Sequence, residues 1–201
     1  MLTISVQTDI EAARRKLASI TEAQQLRFAT AMALTRAARE VQAEVRKNMP
    51  SRFTIRRDWV IKGIQVEKAK PADLVATVFS RDTFMGLQEA GGPKSPLRQY
   101  LAIPTKAVRR TPRDIIRKAD RPKALGDRAE VVEVKGHKYL ALKKARRGRN
   151  GGGQLRLLYL LVPRAQLKAR LGLAKDGMEV VRARFPDILR QALDDAVSRA
   201  R

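Results

Sequence analysis

A chain of 201 residues, of which 44% are apolar and only 4% aromatic, is long enough for one globular domain with an insertion, and its core must be built from Leu, Val, Ile and Ala. Its 43 Lys and Arg residues against 20 Asp and Glu give a formal net charge of +23, so the chain repels itself and needs an anionic partner at high local concentration. The absence of cysteine excludes disulfides and thiolate metal sites, and no apolar run reaches the roughly 20 residues that span a bilayer.

The surplus of positive charge predicts contact with nucleic acid, because each neutralised phosphate releases counterions. An anionic membrane surface is disfavoured, since no amphipathic helix places bulky apolar anchors opposite a basic face. An acidic protein partner stays open as an alternative. The opening segment Met1–Val6 is too short and too polar for a signal peptide, so we expect a soluble protein without an export signal and without membrane contact.

The first predicted elements are a strand and a long helix. Alternating apolar residues over 2–7 predict a short strand. Thr8–Glu11 has the pattern of a capping box, and apolar residues then recur at spacings of three and four, which predicts a helix that runs to Met49 and ends at Pro50. The basic residues on the other faces of this helix are typical of a solvated surface.

A hairpin is predicted next. Trp59–Lys68 alternates in polarity and reads as a strand with a bulge at Gly63. Pro71–Asp73 predicts a turn, and the β-branched run Leu74–Ser80 predicts the second strand. Phe84–Glu89 fits either a strand end or a single helical turn.

The middle of the chain has a different composition. Five prolines lie among Arg and Lys residues over 93–128, which predicts a poor core former and an extended basic insertion at about 93–153. Within it, a short helix is expected over 112–118. Two strands are expected at Ala129–Val134 and Tyr139–Leu142.

The remaining elements complete the predicted sheet. Gly136–His137 is expected to form the turn between those two strands. The almost wholly apolar run Leu155–Val162 predicts a central strand. Asp176–Glu179 predicts the cap of a final helix that runs to about Arg199, with a kink or restart at Pro186.

This order of elements predicts one α+β domain over 1–201. A long N-terminal helix and a C-terminal helix pack on an antiparallel sheet, and an extended basic segment is inserted.

The sequence lacks the groups that an enzyme needs. His137 is the only histidine, and it lies in a predicted turn. Asp194 and Asp195 are neighbours on a helix and point about 100° apart, so they do not share a site. Gly151–Gly153 lacks the Lys and Ser or Thr of a phosphate-binding loop. We therefore expect no enzyme, no metal and no cofactor.

Two basic clusters are present instead. The first contains Lys106, Arg109, Arg110, Arg113, Arg117, Lys118, Arg121 and Lys123, and the second contains Lys135, Lys138, Lys143, Lys144, Arg146, Arg147 and Arg149. The candidates for contact with nucleic-acid phosphate are Arg109, Arg110, Arg113, Arg117, Lys143, Lys144, Arg146, Arg147 and Arg149. The alternatives are a solvated flexible loop and an acidic protein partner. Base-specific recognition is not expected, because no recognition-helix motif, zinc finger or interleaved aromatic residues occur.

Two segments carry a resemblance to a known family. The run Phe53–Ile64 and the run Phe84–Gly92, with its Gln-Glu-Ala-Gly-Gly ending, resemble the tail completion or neck proteins of tailed bacteriophages, in the minor tail protein Z-like family. The closing stretch Phe185–Val197 is similar to the end of those proteins. The long basic segment at about 93–153 distinguishes this chain from the simplest members.

The resemblance implies a structural virion protein, made in the host cytoplasm. It would form a ring, usually a hexamer, at the head-proximal end of the tail, where it completes the tail or joins it to the head. Its partners would be further copies of itself, other phage neck and tail proteins, and packaged double-stranded DNA held by phosphate contacts. The alternatives are a free, sequence-nonspecific nucleic-acid-binding protein and an enzyme with an unrecognised site.

Overall fold

The computed structural model describes the backbone of residues 4–5, 20–143 and 155–199. In chain order the elements are β1 (Ile4–Ser5), α1 (Ile20–Arg52), α2 (Trp59–Lys62), β2 (Ile64–Glu67), β3 (Thr77–Ser80), α3 (Phe84–Ala90), β4 (Gly92–Lys94), β5 (Leu101–Pro104), α4 (Pro122–Leu125), β6 (Ala129–Val134), β7 (His137–Lys143), β8 (Leu155–Val162), β9 (Ala165–Leu167) and α5 (Leu173–Arg199). The predicted capping box at Thr8–Glu11 and four residues of the second basic cluster, Lys144, Arg146, Arg147 and Arg149, lie outside the described residues.

The chain divides into two compact units. The first, which we call the frame, consists of Met1–Gly91 and Lys168–Arg201, and the second, the insert, consists of Gly92–Leu167. The predicted α+β fold is confirmed, with the long helices α1 and α5 packed with antiparallel sheets. None of the described helices is long and apolar enough to cross a membrane.

Helix α1 supplies many of the buried residues of the frame core. Leu34, Val41, Val45 and Met49 recur at helical spacing and are almost completely buried in the frame core. The prediction that Pro50 ends this helix is wrong, because Pro50 lies inside its last turn and the Phe53 amide still donates to the Met49 carbonyl at 2.9 Å.

The frame sheet has the antiparallel order β1-β3-β2, and it confirms the predicted hairpin. Residues Lys70 and Asp73 exchange backbone hydrogen bonds of 2.9 and 3.0 Å across its turn. The prediction that the first strand starts at Trp59 is wrong, because residues 59–62 form a helical turn. Gly63 is not a bulge either. A Cβ there would lie 2.4 Å from the Asp82 carboxylate and 3.1 Å from the Val60 carbonyl, so any larger residue would force that carboxylate to move.

Helix α5 begins three residues before its predicted cap. The Glu89 carboxylate accepts hydrogen bonds from the backbone amides of Leu173 and Ala174, at 2.8 and 3.0 Å, and so caps the helix from a distant part of the sequence. Asp176, the predicted cap, lies within the first turn. Pro186 does not interrupt the helix.

Small residues bring α1 and α5 into close contact. Ala29, Ala33 and Ala37 of α1 are buried against Ile188 and Ala192 of α5. The alanine side chain is a single methyl group, so the two backbones can approach closely, which suits a seam between two long helices.

One ion pair joins the end of α1 to the start of α5. The Arg52 guanidinium donates two hydrogen bonds to the Asp176 carboxylate, at 2.8 and 2.7 Å, and Asn48 donates a third at 3.0 Å. The Asp176 side chain is only 3% exposed, and this full set of partners makes its burial tolerable.

The insert contains a four-stranded antiparallel sheet in the order β5-β8-β7-β6, which confirms that Leu155–Val162 is a central strand. A separate pair, β4 with β9, joins the two ends of the insert. The β6–β7 turn consists of Lys135 and Gly136, both with positive φ, one residue earlier than predicted. His137 already pairs with Val134.

The proline-rich segment is not a poor core former, and that prediction is wrong. Val108 and Leu125 from this segment are buried with Leu158 and Tyr159 of the sheet. The predicted helix over 112–118 is also wrong. Asp114 has a φ of 57°, outside the helical region, and lets the chain turn back so that Arg110 pairs with Ile116.

Replacing Arg52 with Ala should destabilise the frame by about 3 kcal/mol, because the buried Asp176 carboxylate then loses its charged partner. Trp59 is the only tryptophan and belongs to the frame, so urea unfolding followed by tryptophan fluorescence measures this change. The control is Arg190→Ala, which removes a well-exposed pair with Asp187 and should cost no more than about 0.5 kcal/mol. Equal losses of unfolding free energy in the two variants would show that burial of the Asp176 carboxylate adds nothing to the value of the Arg52 ion pair.

The frame should also lose stability in acid. Burial raises the pKa of Asp176, but hydrogen bonds from Arg52 and Asn48 and nearby positive charge outweigh it, so the folded pKa lies below the ordinary value. Such a group stabilises the fold above its unfolded pKa of about 3.9 and loses that contribution as pH falls through the folded pKa.

We expect the variant Asp176→Asn to lose stability at neutral pH and to show a flatter decline as the pH falls below about 5. Urea unfolding at a series of pH values measures both effects. Parallel pH profiles for the variant and the unchanged chain would contradict the assignment.

Candidate nucleic-acid interface

Positive charge is concentrated in the insert. Gly92–Leu167 contains 20 Lys and Arg residues against five Asp and Glu, whereas the longer frame contains 23 against 15. The insert therefore carries a formal charge of +15 out of the total of +23. A surface of this kind attracts the phosphates of a nucleic acid, whatever the base sequence of that nucleic acid.

The first basic cluster belongs to a segment that lies over one face of the insert sheet. Val108 and Leu125 anchor the segment in the core, and the Tyr159 hydroxyl donates to the Asp120 carbonyl at 2.7 Å. Burial raises the pKa of Tyr159, with a contribution from the charge of Asp120, so the phenol stays a hydrogen-bond donor at neutral pH. The Arg156 guanidinium adds a bond to the Ala107 carbonyl.

Arg109 has a partner within the chain. Its guanidinium donates to both oxygens of Asp120, at 3.2 and 3.3 Å, and the Asp120 side chain is only 4% exposed while that of Arg109 is 58% exposed. Arg109 therefore neutralises a buried carboxylate, which reduces the charge that it offers to a ligand.

Arg110 is also used internally. It donates to the Asp114 carboxylate at 3.0 Å, across the tight loop that Arg110 and Ile116 close. Backbone hydrogen bonds between Thr111 and Ile115, at 2.8 Å, and between Asp114 and Thr111, at 2.9 Å, hold the same loop. These bonds hold the loop in one conformation, and Arg113 precedes Asp114, its left-handed residue.

Arg113 and Arg117 differ from their two neighbours. Both are exposed, and neither side chain has a hydrogen bond or ion pair to any other described residue. Four further residues of the first cluster are also exposed and lie on both sides of the two arginines in the sequence: Lys106, Lys118, Arg121 and Lys123. These side chains remain available for phosphate.

The second cluster is only partly described. Lys135 is exposed in the β6–β7 turn, and Lys138 donates to the Tyr100 hydroxyl at 3.1 Å while it lies 5.4 Å from the centre of that ring. The hydrogen bond to Tyr100 raises the pKa of Lys138, so it stays charged. The Lys143 backbone ends β7. The candidates Lys144, Arg146, Arg147 and Arg149 lie outside the described residues.

Sequence reasoning missed the residues that shape this surface. In the sequence, Asp120 is one acid among many basic residues, but in the structure it accepts hydrogen bonds from Arg109. Tyr159 is one residue of a predicted apolar strand, but in the structure its hydroxyl donates to the Asp120 carbonyl. Arg128 belongs to neither predicted cluster, but its guanidinium donates to the Ala124 carbonyl at 2.8 Å and fixes the end of α4. The one available signal was Asp120 itself, because an acid within a basic run suggests an internal pair.

The three residues considered for catalysis in the sequence all lie on the surface. His137 is exposed on a strand, and Asp194 and Asp195 are exposed on α5. Within the described parts of the chain, no three His, Asp or Glu side chains are placed to hold a metal ion.

The residues behind the phage resemblance are structural in the frame. Trp59 and Phe84 make an edge-to-face contact with ring centres 6.0 Å apart, and Met85 is buried. Glu89 caps α5, and Gly91 has a φ of 70° that favours glycine. This chain matches no protein-family model, no curated protein and no solved structure. The family likeness therefore stays a prediction from the pattern of residues.

The double variant Arg113→Ala with Arg117→Ala should lower affinity for a short DNA duplex, since two phosphate contacts are lost. The slope of log affinity against log salt should become shallower by about two, at roughly one per contact. Fluorescence anisotropy with a labelled duplex at several salt concentrations measures the slope. The matched control, Lys62→Ala with Arg182→Ala, removes two exposed charges from the frame. Slopes that change equally would mean that the whole chain attracts DNA without a defined surface.

Proposed function

We propose that this chain is a structural virion protein of a tailed bacteriophage. In this proposal it completes the head-proximal end of the tail, or joins head and tail, as a homo-oligomeric ring around the DNA channel. The observation that carries the proposal is the placement of charge, with 15 of the 23 net positive charges on the insert. A ring multiplies that charge by its copy number, and the DNA in the channel supplies the compensating phosphate.

The chemistry of the frame supports a scaffold role. The Phe53–Gly92 residues that resemble tail completion proteins act here in packing and in capping a helix, as Met85 and Glu89 do. Their use in holding the fold together suits a protein whose task is assembly.

The chemistry of the insert supports backbone contact with duplex DNA. Arg113 and Arg117 are exposed beside arginines that are already paired, and guanidinium groups bind phosphate through two hydrogen bonds at once. Phosphate contacts position a protein on DNA without reading its sequence, as a channel that passes an entire genome requires.

A second candidate function is a free, sequence-nonspecific nucleic-acid-binding protein. The same exposed arginines favour it, because they are available in a single chain. It predicts tight, steeply salt-dependent binding of DNA or RNA by the isolated monomer. The virion protein should bind DNA weakly when alone, since its affinity comes from several copies that act together.

The deciding experiment is electron microscopy of phage particles that lack this protein. We expect unjoined heads and tails, or tails with faulty ends, and we expect the gene supplied in trans to restore complete particles. Supplying the Arg113→Ala, Arg117→Ala variant should restore joined particles less efficiently than the matched control Lys62→Ala, Arg182→Ala. Normal infectious particles in the absence of the protein, together with tight DNA binding by its monomer, would favour the second function.

A further inference from the structure

The described residues of the frame form an apolar groove that none of them covers. The groove runs along the N-terminal half of α1, and its two depressions have volumes of about 810 and 450 Å³. Both are lined by Phe28, Met32 and Pro71, and the larger one reaches Ala192 and Ala196 of α5. This volume accommodates several side chains of a partner.

The most apolar side chains of the groove face solvent. Phe28 is 54% exposed and Met32 is 42% exposed, and they lie one helical turn apart on α1. The floor between them and α5 is made of small residues such as Ala29 and Ala192, so a partner can approach closely. Exposed aromatic and methionine side chains beside a floor of this kind are typical of helix-binding grooves.

The wall of the groove is held in place before any partner binds. Arg27 donates to the carbonyls of Pro71 and Ala72, at 2.6 and 3.2 Å, and the Ala69 amide donates to the Thr35 hydroxyl at 3.1 Å. These bonds fix the hairpin turn against α1. A preformed groove binds with less loss of conformational entropy than one that must first open.

Charge at the groove determines which partner fits. Arg36, Arg39 and Lys68 line one end, and neither Arg39 nor Lys68 forms a side-chain hydrogen bond or ion pair with any described residue. Asp195, the one acid among the described lining residues, lies in the larger depression near α5. A second copy of this chain, with its net charge of +23, is a poor match for three cations. DNA has no apolar face to cover Phe28 and Met32.

We propose that this groove binds an acidic amphipathic helix of another protein. Two apolar side chains of that helix pack on Phe28 and Met32, and its carboxylates, one or two turns further along, pair with Arg39 and Lys68. This inference does not rest on the proposed virion function, because it uses frame residues alone.

The probe is a synthetic helical peptide with Leu at spacings of three and four and Glu at its polar positions. One control peptide has Lys in place of every Glu, and another has Ser in place of every Leu. We expect fluorescence anisotropy with the full chain to show binding of the first peptide and much weaker binding of both controls. Equal binding of the Leu-containing and Ser-containing acidic peptides would overturn the proposal, because it would mean attraction by charge alone.

Variants of the chain locate the binding. Arg39→Glu with Lys68→Glu should weaken binding of the acidic peptide about tenfold or more, and the equally charged control Lys62→Glu with Arg182→Glu should change it much less. Phe28→Ser should also weaken binding, with folding checked by Trp59 fluorescence. Equal losses in the two charge variants would overturn the proposal. A change in the mass of the chain in Phe28→Ser, measured by sedimentation, would overturn it in favour of a second copy as occupant. DNA affinity and particle assembly test the virion function separately.

Discussion

The pair between Arg52 and Asp176 is the interaction on which the frame depends. It joins residues 124 positions apart, at the last turn of α1 and the first turn of α5. Arg52 also donates to the Leu171 carbonyl, and a Cβ on Gly172 would lie 2.9 Å from the Arg52 guanidinium. A carboxylate this deeply buried is stable only when its partners are all in place. The start of α5 is therefore fixed by charge and close packing at one point.

This junction explains how the chain accepts a long insertion. The Gln88 carbonyl accepts hydrogen bonds from the amides of Arg170 and Leu171, so the two segments of the frame meet through frame residues alone. In the insert, β4 pairs with β9, so its own two ends also meet. Each unit closes through its own hydrogen bonds. None of the described insert residues belongs to the frame core, so the insert can carry a large surplus of positive charge without placing it in that core.

The sequence predicted the elements whose signals are local and missed those set by distant contacts. Apolar periodicity identified α1, and the β-branched run before Ser80 identified β3. The predicted start of α5 is wrong because the residue that caps it, Glu89, lies 84 positions away from Leu173, whose amide donates a hydrogen bond to it. The sequence predicts that the basic segment cannot build a core, since Val108 and Leu125 are isolated among charges, yet Leu158 and Tyr159 of the sheet bury them. At the candidate nucleic-acid interface, composition identifies the basic cluster. It does not show that Arg109 is paired with Asp120 whereas Arg113 has no ion pair with a described residue.

Positive charge therefore does three different things in this molecule. At Arg52 and Arg109 it neutralises buried carboxylates and stabilises the fold. At Arg113 and Arg117 it is exposed and makes no side-chain hydrogen bond or ion pair with a described residue, which suits phosphate. At Arg39 and Lys68 it borders an apolar groove, which suits carboxylates carried on an apolar helix. Because Arg52 and Arg109 are already paired with buried carboxylates, a count of Lys and Arg alone overstates the charge available for a ligand.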